Sequence, residues 1–268
     1  MGIALCLIVL MTLYLWLIAT EPRRPEIAPL LYKLYAHRGL HDGNHRVIEN
    51  SLEAFRLAVE AGYGIELDVQ PTRDGKLVVF HDESLKRLCG VDLRIGDMTW
   101  EELGTHPLPD GSSIPLFDQV LALVNGQAPL IVEIKHYGDA KRNAALTLQV
   151  LRTYSGPFCV ESFHPLAVRY FRREASHILR GQLANGGKRD THTNFLQHFA
   201  MKYLLVNGIG RPHFVSYSCG SDHTLSVWMI KRIKRALLAA WTIRDQETLD
   251  RARKEYQMYI FEGFHPDD

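Results

Sequence analysis

Short apolar runs and amphipathic segments alternate along most of the chain. The apolar runs predict strands at residues 34–37, 64–69, 77–81, 129–135, 158–163, 177–183, 213–217, 237–243 and 258–261. Apolar side chains at helical spacing predict helices at residues 50–62, 99–103, 117–124, 139–153, 166–174, 194–205, 224–235 and 246–255. Strands that alternate with helices form a parallel sheet, and about 240 residues of alternation favour an α/β protein with a closed (β/α)8 TIM barrel.

The alternation is interrupted once. The strands at 64–69 and 77–81 are too close in sequence for a helix between them, so we expect the barrel to be distorted there. Residues 82–115 are rich in glycine and proline and predict a small insertion after the third strand. Inside it, Thr99 followed by Glu102 predicts a capping box at the start of a short helix.

The N-terminus differs from the rest of the chain. Residues 2–20 carry no charge and would span about 28 Å as a helix, close to the hydrocarbon core of a bilayer. We therefore expect a transmembrane anchor at residues 1–21, a linker at 22–32 and the barrel domain at 33–268. A cleaved signal peptide and a buried helix are the alternatives. Arg23, Arg24 and Lys33 follow the apolar run, which predicts a single-pass protein with its barrel in the cytoplasm.

Composition narrows the function classes. The 268 residues include 31 Lys and Arg against 30 Asp and Glu, a net charge of +1, which argues against a strongly basic nucleic-acid binder. No protein partner is indicated. The four cysteines are widely spaced and form no CxxC pair, so a cysteine zinc site is not expected. The glycine-rich phosphate-binding motifs of nucleotide-binding sheets are absent from the sequence.

Charged residues occur inside the predicted strands. Glu66 and Asp68 share one strand face, as do Glu133 and Lys135, because residues i and i+2 of a strand point the same way. A carboxylate in an apolar strand is costly unless it is paired or binds a metal. Inward-facing groups near the carboxyl ends of barrel strands converge on one site. The three carboxylates therefore predict a site for a hard divalent cation.

Two histidines follow predicted strands at their ends. His37 precedes Arg38 at one end and His81 precedes Asp82 at another, and two such histidines suit a general acid and a general base. The planar guanidinium of Arg38 suits phosphate oxygens, and Lys135 adds a point charge. Together with a metal, this set favours attack on a phosphodiester. The segment at residues 41–45, with two further histidines, is interpreted as a loop beside the site.

Several motifs resemble the glycerophosphodiester phosphodiesterase family. They are AHRG at 36–39, ENS at 49–51, ELDVQPTRDG at 66–75, VVFHD at 78–82, EIK at 133–135, SFHP at 162–165 and WTI at 241–243. The resemblance covers residues 33 to 265 and implies a TIM barrel with an insertion after the third strand. It implies one divalent ion, Ca²⁺ or Mg²⁺, held by Glu66, Asp68 and Glu133.

The resemblance also implies a reaction. It assigns acid–base catalysis to His37 and His81 and phosphate binding to Arg38, and it implies cleavage of a glycerophosphodiester to glycerol 3-phosphate and an alcohol through a cyclic phosphate. Further residues are expected to orient the site or line the substrate pocket: Glu49, Asn50, Phe163 and Trp241. The sequence departs from the family near its C-terminus, where Glu262 stands close to the position of a family aspartate.

Three alternatives remain open at this point. The first keeps the chemistry but takes membrane lysolipids, as a lysophospholipase D does. The second is a non-catalytic anchored binding protein on the same barrel, which the intact set of carboxylates and histidines disfavours. The third is a barrel hydrolase of amides or esters, whose metal sites use more histidine than this cluster contains.

Overall fold

The strands form one sheet that closes on itself. The computed structural model describes residues 2–22, 27–187 and 194–267. Within these ranges the strands are β1 (Lys33–His37), β2 (Gly64–Pro71), β3 (Leu77–Val79), β4 (Leu130–Ile134), β5 (Phe158–Ser162), β6 (Arg180–Ala184), β7 (Phe214–Ser218), β8 (Leu237–Ile243) and β9 (Met258–Phe261). Their order is β1-β9-β8-β7-β6-β5-β4-β2-β3, and an additional β1–β2 pairing closes the ring.

Eight of these strands are parallel and make the barrel. The predicted α/β barrel is confirmed. The short strand β3 is different, because it pairs antiparallel with β2 and places Val69 opposite Val79. The expected distortion is therefore a hairpin outside the parallel ring, so the predicted strand at 77–81 is not a barrel strand.

Helices connect the strands, and most of them lie on the outer side of the barrel. They are α1 (Gly2–Ile18), α2 (Leu52–Glu60), α3 (Lys86–Cys89), α4 (Trp100–Leu103), α5 (Phe117–Val124), α6 (Ala140–Leu151), α7 (Pro165–Glu174), α8 (Phe195–Lys202), α9 (Asn207–Gly210), α10 (Leu225–Arg232) and α11 (Gln246–Arg253). Local signals explain several boundaries. Ser51 accepts a hydrogen bond from the backbone of Ala54 at the start of α2, and the predicted capping box of Thr99 and Glu102 is confirmed at α4.

The chain between β3 and α5 builds a small unit of its own. It contains α3, α4 and a separate buried cluster that includes Phe80, Ile95 and Leu103. Backbone bridges join Val78 to Leu116 and so return the chain to the barrel. This unit is the predicted insertion at 82–115, and it brings α3 next to the rim of the barrel.

The amino ends of the strands are closed by packed side chains. Tyr35, Ile131 and Phe214 fill the interior there, and Leu30 covers it from below. Gly181 is required at this level, because a Cβ on it would lie 2.3 Å from the ring of Phe214. Since this end is closed, the carboxyl ends of the strands are the open face of the barrel.

The structure of helix α1 differs from the transmembrane anchor expected at the N-terminus. It is 17 residues long, and its carboxyl end is held on the barrel because Asn207 donates to the carbonyl of Ile18 and Arg211 to that of Trp16. Across the described residues, no helix combines the length and the apolar character needed to cross a bilayer. The structure thus does not support the transmembrane helix expected at residues 2–20. Arg23 and Arg24, on which the predicted membrane side depended, lie outside the described residues.

Candidate active site

Strand register brings the predicted carboxylates together. His37 lies opposite Glu66 in the β1–β2 pair, and Asp68 lies opposite Glu133 in the β2–β4 pair. Residues at matching positions of neighbouring parallel strands point to the same side, which here is the barrel interior. The three carboxylates are buried and each offers an oxygen within 4.8 Å of the other two. The predicted acidic cluster therefore exists at the open face.

This cluster has the chemistry of a cation site. Burial, together with the negative charges of Asp68 and Glu133, raises the pKa of Glu66 well above its usual value. Burial also raises the pKa of Glu133. Three oxygen donors held together against their own repulsion fit a hard divalent cation.

Lys135 supplies positive charge at the same place. Its Nζ lies 3.2 Å from Asp68 Oδ1 and 2.9 Å from Glu133 Oε1. Burial alone would lower the pKa of Lys135, but the two carboxylates raise it above its ordinary value. Burial would likewise raise the pKa of Asp68, yet Lys135, with further positive groups, holds it well below its usual value. Asp68 and Lys135 are thus an ion pair inside the barrel.

His37 stands at the end of β1 between two carboxylates. Its Nε2 lies 3.9 Å from Glu66 Oε2, and its Nδ1 lies 3.4 Å from Glu262 Oε2. Burial lowers the pKa of His37 to about 4, although Glu262 opposes this shift. The nearby imidazole in turn lowers the pKa of Glu262 to about 2. His37 is therefore a neutral imidazole at pH 7, with Glu262 placed to orient its ring.

His81 has its own carboxylate partner. Its Nδ1 lies 2.6 Å from Asp82 Oδ1, so the carboxylate engages this ring nitrogen and Nε2 is the other one. Gln70 fixes the backbone on both sides of this histidine by donating to the carbonyls of Phe80 and Asp82. Arg87 from α3 donates to the second oxygen of Asp82. His81 is thus held at the rim although it lies outside the parallel ring.

Arg38 belongs to a buried charge network. Its guanidinium donates to Glu49 Oε1 at 2.7 Å and lies 3.5 Å from Asp68 Oδ2. Glu49 also accepts from Arg87 and from Asn44, whose segment is the predicted loop beside the site. Burial would raise the pKa of Glu49, but Arg87 and Arg38 lower it far below its usual value. Glu49 is therefore placed to orient Arg38.

The backbone at this rim is in a rare conformation. Arg38, Gly39 and Asn50 have φ values of 57°, 83° and 56°, in the left-handed region. At Gly39 no side chain fits, because a Cβ would lie 2.8 Å from that of Ala54 in α2. The turn at Asn50 aims its amide at Asp68, to which it donates at 2.8 Å. Asn50 thus positions one carboxylate of the cluster.

The predicted aromatic residues lie on the opposite side of the open face. The rings of Phe163 and Trp241 meet edge to face with centroids 5.7 Å apart. Phe163 lines a cavity of about 460 Å³ that is also lined by His81 and Lys135. The indole Nε1 of Trp241 is buried and has no hydrogen-bond partner among the described residues. These two aromatics are near the site but outside the charged cluster.

Sequence reasoning missed several contributors. Glu161 on β5 lies opposite Glu133 and is buried in the same layer, and burial raises its pKa well above the usual value. The sequence around Glu161, Glu-Ser-Phe, contains no motif that marks it as a site residue. Gln70 and Arg87 act through tertiary contacts, and no local motif marks them. Glu262 had only its position near the last strand, whereas the structure brings it to His37.

Comparison with known proteins agrees with the architecture of this site. A closed α/β barrel with acidic and histidine side chains at its open face has the architecture of a barrel enzyme. A model of the "Glycerophosphoryl diester phosphodiesterase family" matches residues 37–263, and the chain belongs to this family.

Individual relatives agree with this assignment. The chain is 33% identical over 159 residues to a glycerophosphodiester phosphodiesterase of Bacillus altitudinis, covering 54% of this chain and 64% of that protein. It is 41% identical over 233 residues to human glycerophosphodiester phosphodiesterase 1, covering 78% of this chain and 68% of that protein. A phosphodiesterase of Oleispira antarctica, solved with its product sn-glycerol-3-phosphate, shares the fold with a TM-score of 0.69 at 21% identity, covering 87% of this chain and 93% of that one.

Proposed function

We propose that this chain is a metal-dependent glycerophosphodiester phosphodiesterase that releases glycerol 3-phosphate and an alcohol. The observation that carries the proposal is the convergence of Glu66, Asp68 and Glu133 at the open face, with His37 and His81 beside them. Family membership favours the same substrate class. The product named for the Oleispira antarctica structure is the one that this reaction would release.

The carboxylate cluster would hold one divalent cation, Ca²⁺ or Mg²⁺. Such an ion, when bound, supplies positive charge to the phosphoryl oxygens. Arg38 and Lys135 lie beside the cluster and supply further positive charge for the phosphate. Asn50 and Glu49 keep Asp68 and Arg38 in place. The phosphodiester would therefore sit between the cluster and these two basic side chains.

The two histidines divide the proton transfers. His37 is neutral at pH 7 and can accept the proton of the glycerol hydroxyl next to the phosphate as its oxygen attacks phosphorus. The P–O bond to the alcohol then breaks, and His81 gives its proton to the leaving oxygen. In the second step, water opens the cyclic phosphate and the two histidines exchange roles. Glycerol 3-phosphate is the product.

The first experiment measures glycerol 3-phosphate released from glycerophosphocholine by the full chain. We expect activity to be lost after dialysis against EDTA and to return with added Ca²⁺ or Mg²⁺. Phosphorus NMR during turnover should detect the cyclic phosphate. Full activity in excess chelator would contradict metal dependence. Equal hydrolysis of a diester without the neighbouring hydroxyl would contradict the cyclic step.

A further inference from the structure

One arginine of the insertion contacts two carboxylates beside the candidate active site. Arg87 lies on α3, and its guanidinium donates to Glu49 Oε2 at 2.9 Å and to Glu49 Oε1 at 2.6 Å. Its remaining nitrogen, Nε, donates to Asp82 Oδ2 at 2.6 Å. A planar guanidinium carries its donors in a rigid fork, so these three hydrogen bonds constrain the two carboxylates relative to each other.

Each of these carboxylates contacts a residue of the proposed reaction. Asp82 Oδ1 lies 2.6 Å from His81 Nδ1, and Glu49 Oε1 accepts a hydrogen bond from Arg38 at 2.7 Å. Burial would raise the pKa of Asp82, but His81 and Arg87 lower it below its usual value, so this carboxylate is charged at pH 7. Arg87 is therefore joined through one carboxylate to His81 and through the other to Arg38.

The insertion holds the backbone of Arg87 in place. Leu85, two residues earlier, is fully buried in the separate cluster of the insertion. The backbone of Cys89 donates to the carbonyl of Leu85, and Gly90, with a φ of 75°, ends the helix. The side chain of Arg87 is 44% exposed, whereas that of Glu49 is 4% exposed. The guanidinium thus covers a buried carboxylate from the solvent side.

We propose that Arg87 is a positioning residue that fixes His81 relative to Arg38, and so aligns proton donation to the leaving oxygen with binding of the phosphate. The inference rests on the proposed function. Without Arg87, Asp82 would lose the hydrogen bond on the side away from His81. Glu49 would lose two hydrogen bonds and could turn toward Arg38. A displacement of about 1 Å in such groups can cost ~10²-fold in rate.

The first test compares two leaving groups in variants of the full chain. Glycerophosphocholine releases an alcohol whose oxygen needs a proton, whereas the 4-nitrophenyl ester of glycerol 3-phosphate releases a phenolate that does not. We expect Arg87→Gln to lower kcat/KM about 10–100-fold for the first substrate and about threefold for the second. The matched control is Lys86→Gln, which removes the same charge from the same helix and an exposed contact with Asp92, and should change both values less than about twofold. An equal loss with both leaving groups in Arg87→Gln would overturn the inference.

A double-mutant cycle assigns the effect to His81. In a His81→Ala background proton donation is already lost, so Arg87→Gln should lower kcat/KM for glycerophosphocholine by only about threefold more. An additive loss would contradict the link between Arg87 and His81. The link to Arg38 is measured by calorimetry as the affinity for sn-glycerol 3-phosphate, which has no leaving group. We expect Arg87→Gln to raise its Kd about threefold, and an unchanged Kd would contradict that link.

An NMR measurement separates this inference from the proposed function. The ring of His81 and the Nε–H of Arg38 give signals in the isotope-labelled full chain, and His81→Ala and Arg38→Lys assign them. We expect Arg87→Gln to shift both signals and Lys86→Gln to shift neither. If no diester is hydrolysed but both signals shift in Arg87→Gln, the proposed function fails and the positioning role stands. If neither signal shifts in Arg87→Gln, the positioning role is overturned even in an active enzyme.

Discussion

The open face of the barrel has two halves of opposite character. The charged half, at the ends of β9, β1, β2 and β4, holds the carboxylate cluster together with His37, Arg38 and Lys135. The apolar half, at the ends of β5 to β8, holds Phe163, Trp241 and α8.

In the charged half nearly every polar group is fixed by another, as Asp68 is by Asn50 and Lys135. In the apolar half, Phe195 and Leu196 lie exposed on α8, and the buried indole Nε1 of Trp241 has no hydrogen-bond partner among the described residues. Side chains that take part in a reaction must be held in place by their neighbours. Side chains that contact the rest of a substrate can remain without such partners until the substrate binds.

Substitution of the histidines should have the largest effect. His37→Ala and His81→Ala remove the two proposed proton-transfer groups and should lower kcat for glycerophosphocholine by about 10²–10⁴-fold. His45→Ala is the matched control, since this histidine is exposed in the neighbouring loop, and we expect less than about threefold. A loss in His45→Ala as large as that in His81→Ala would contradict the assignment.

Replacing a buried carboxyl by its amide should have different effects on activity in the two halves of the open face. Asp68→Asn removes a charged group paired with Lys135 and should cost at least ~100-fold in kcat/KM, about 2.7 kcal/mol of barrier. Glu161→Gln changes a carboxyl of the apolar half that lies opposite Glu133, where burial raises its pKa well above the usual value. Its replacement by a neutral amide should change kcat/KM less than about threefold. A large loss in Glu161→Gln would show that the charged half extends onto β5.

The sequence predicted the charged half far better than the apolar half. Strand periodicity put Glu66, Asp68 and Glu133 on inward faces, and register in a closed barrel then left little freedom in where they meet. The position of His81 also followed from its motif, but the antiparallel hairpin that carries it did not, because the pairing partner of a three-residue strand depends on tertiary contacts.

In the apolar half, the SFHP and WTI motifs marked Phe163 and Trp241, but the sequence gave no comparable signal for α8. Leu196 and Met201 lie on a segment that resembles any amphipathic helix, and only the folded structure shows that no core covers them. The length of the apolar N-terminal segment suggested a bilayer span. In the structure its last turn is bound to the barrel by Asn207 and Arg211, which lie almost 200 residues away in the chain.

Removal of the Glu262 charge should have an intermediate effect. Glu262→Gln keeps the size of the side chain but loses the carboxylate that lies 3.4 Å from His37 Nδ1. We expect kcat/KM to fall about tenfold, as for groups that orient a catalytic residue. Because the Glu262 carboxylate raises the pKa of His37, its loss should lower that pKa, and the acidic limb of the pH–rate profile should move to lower pH.

The pH profile is the decisive readout for Glu262. A side chain that only filled space would leave the acidic limb in place when glutamine replaces it. Arg244→Gln is a suitable control, because Arg244 contacts Glu262 at 2.9 Å on the exposed side without reaching His37. We expect it to change kcat/KM less than about threefold. A shift of the limb to higher pH in Glu262→Gln would contradict the orienting role.

The smallest effect is expected in the apolar half, at Trp241. Trp241→Phe retains an aromatic ring against Phe163 but removes an indole N–H that has no acceptor among the described residues. A buried donor without a partner costs about 1–3 kcal/mol, so such a group persists more readily if a ligand supplies the acceptor. We expect KM for glycerophosphocholine to rise about threefold with kcat unchanged. If KM is unchanged and the Tm rises, the N–H is only an unpaired donor, and Trp241 contributes packing to the apolar half without contacting the substrate.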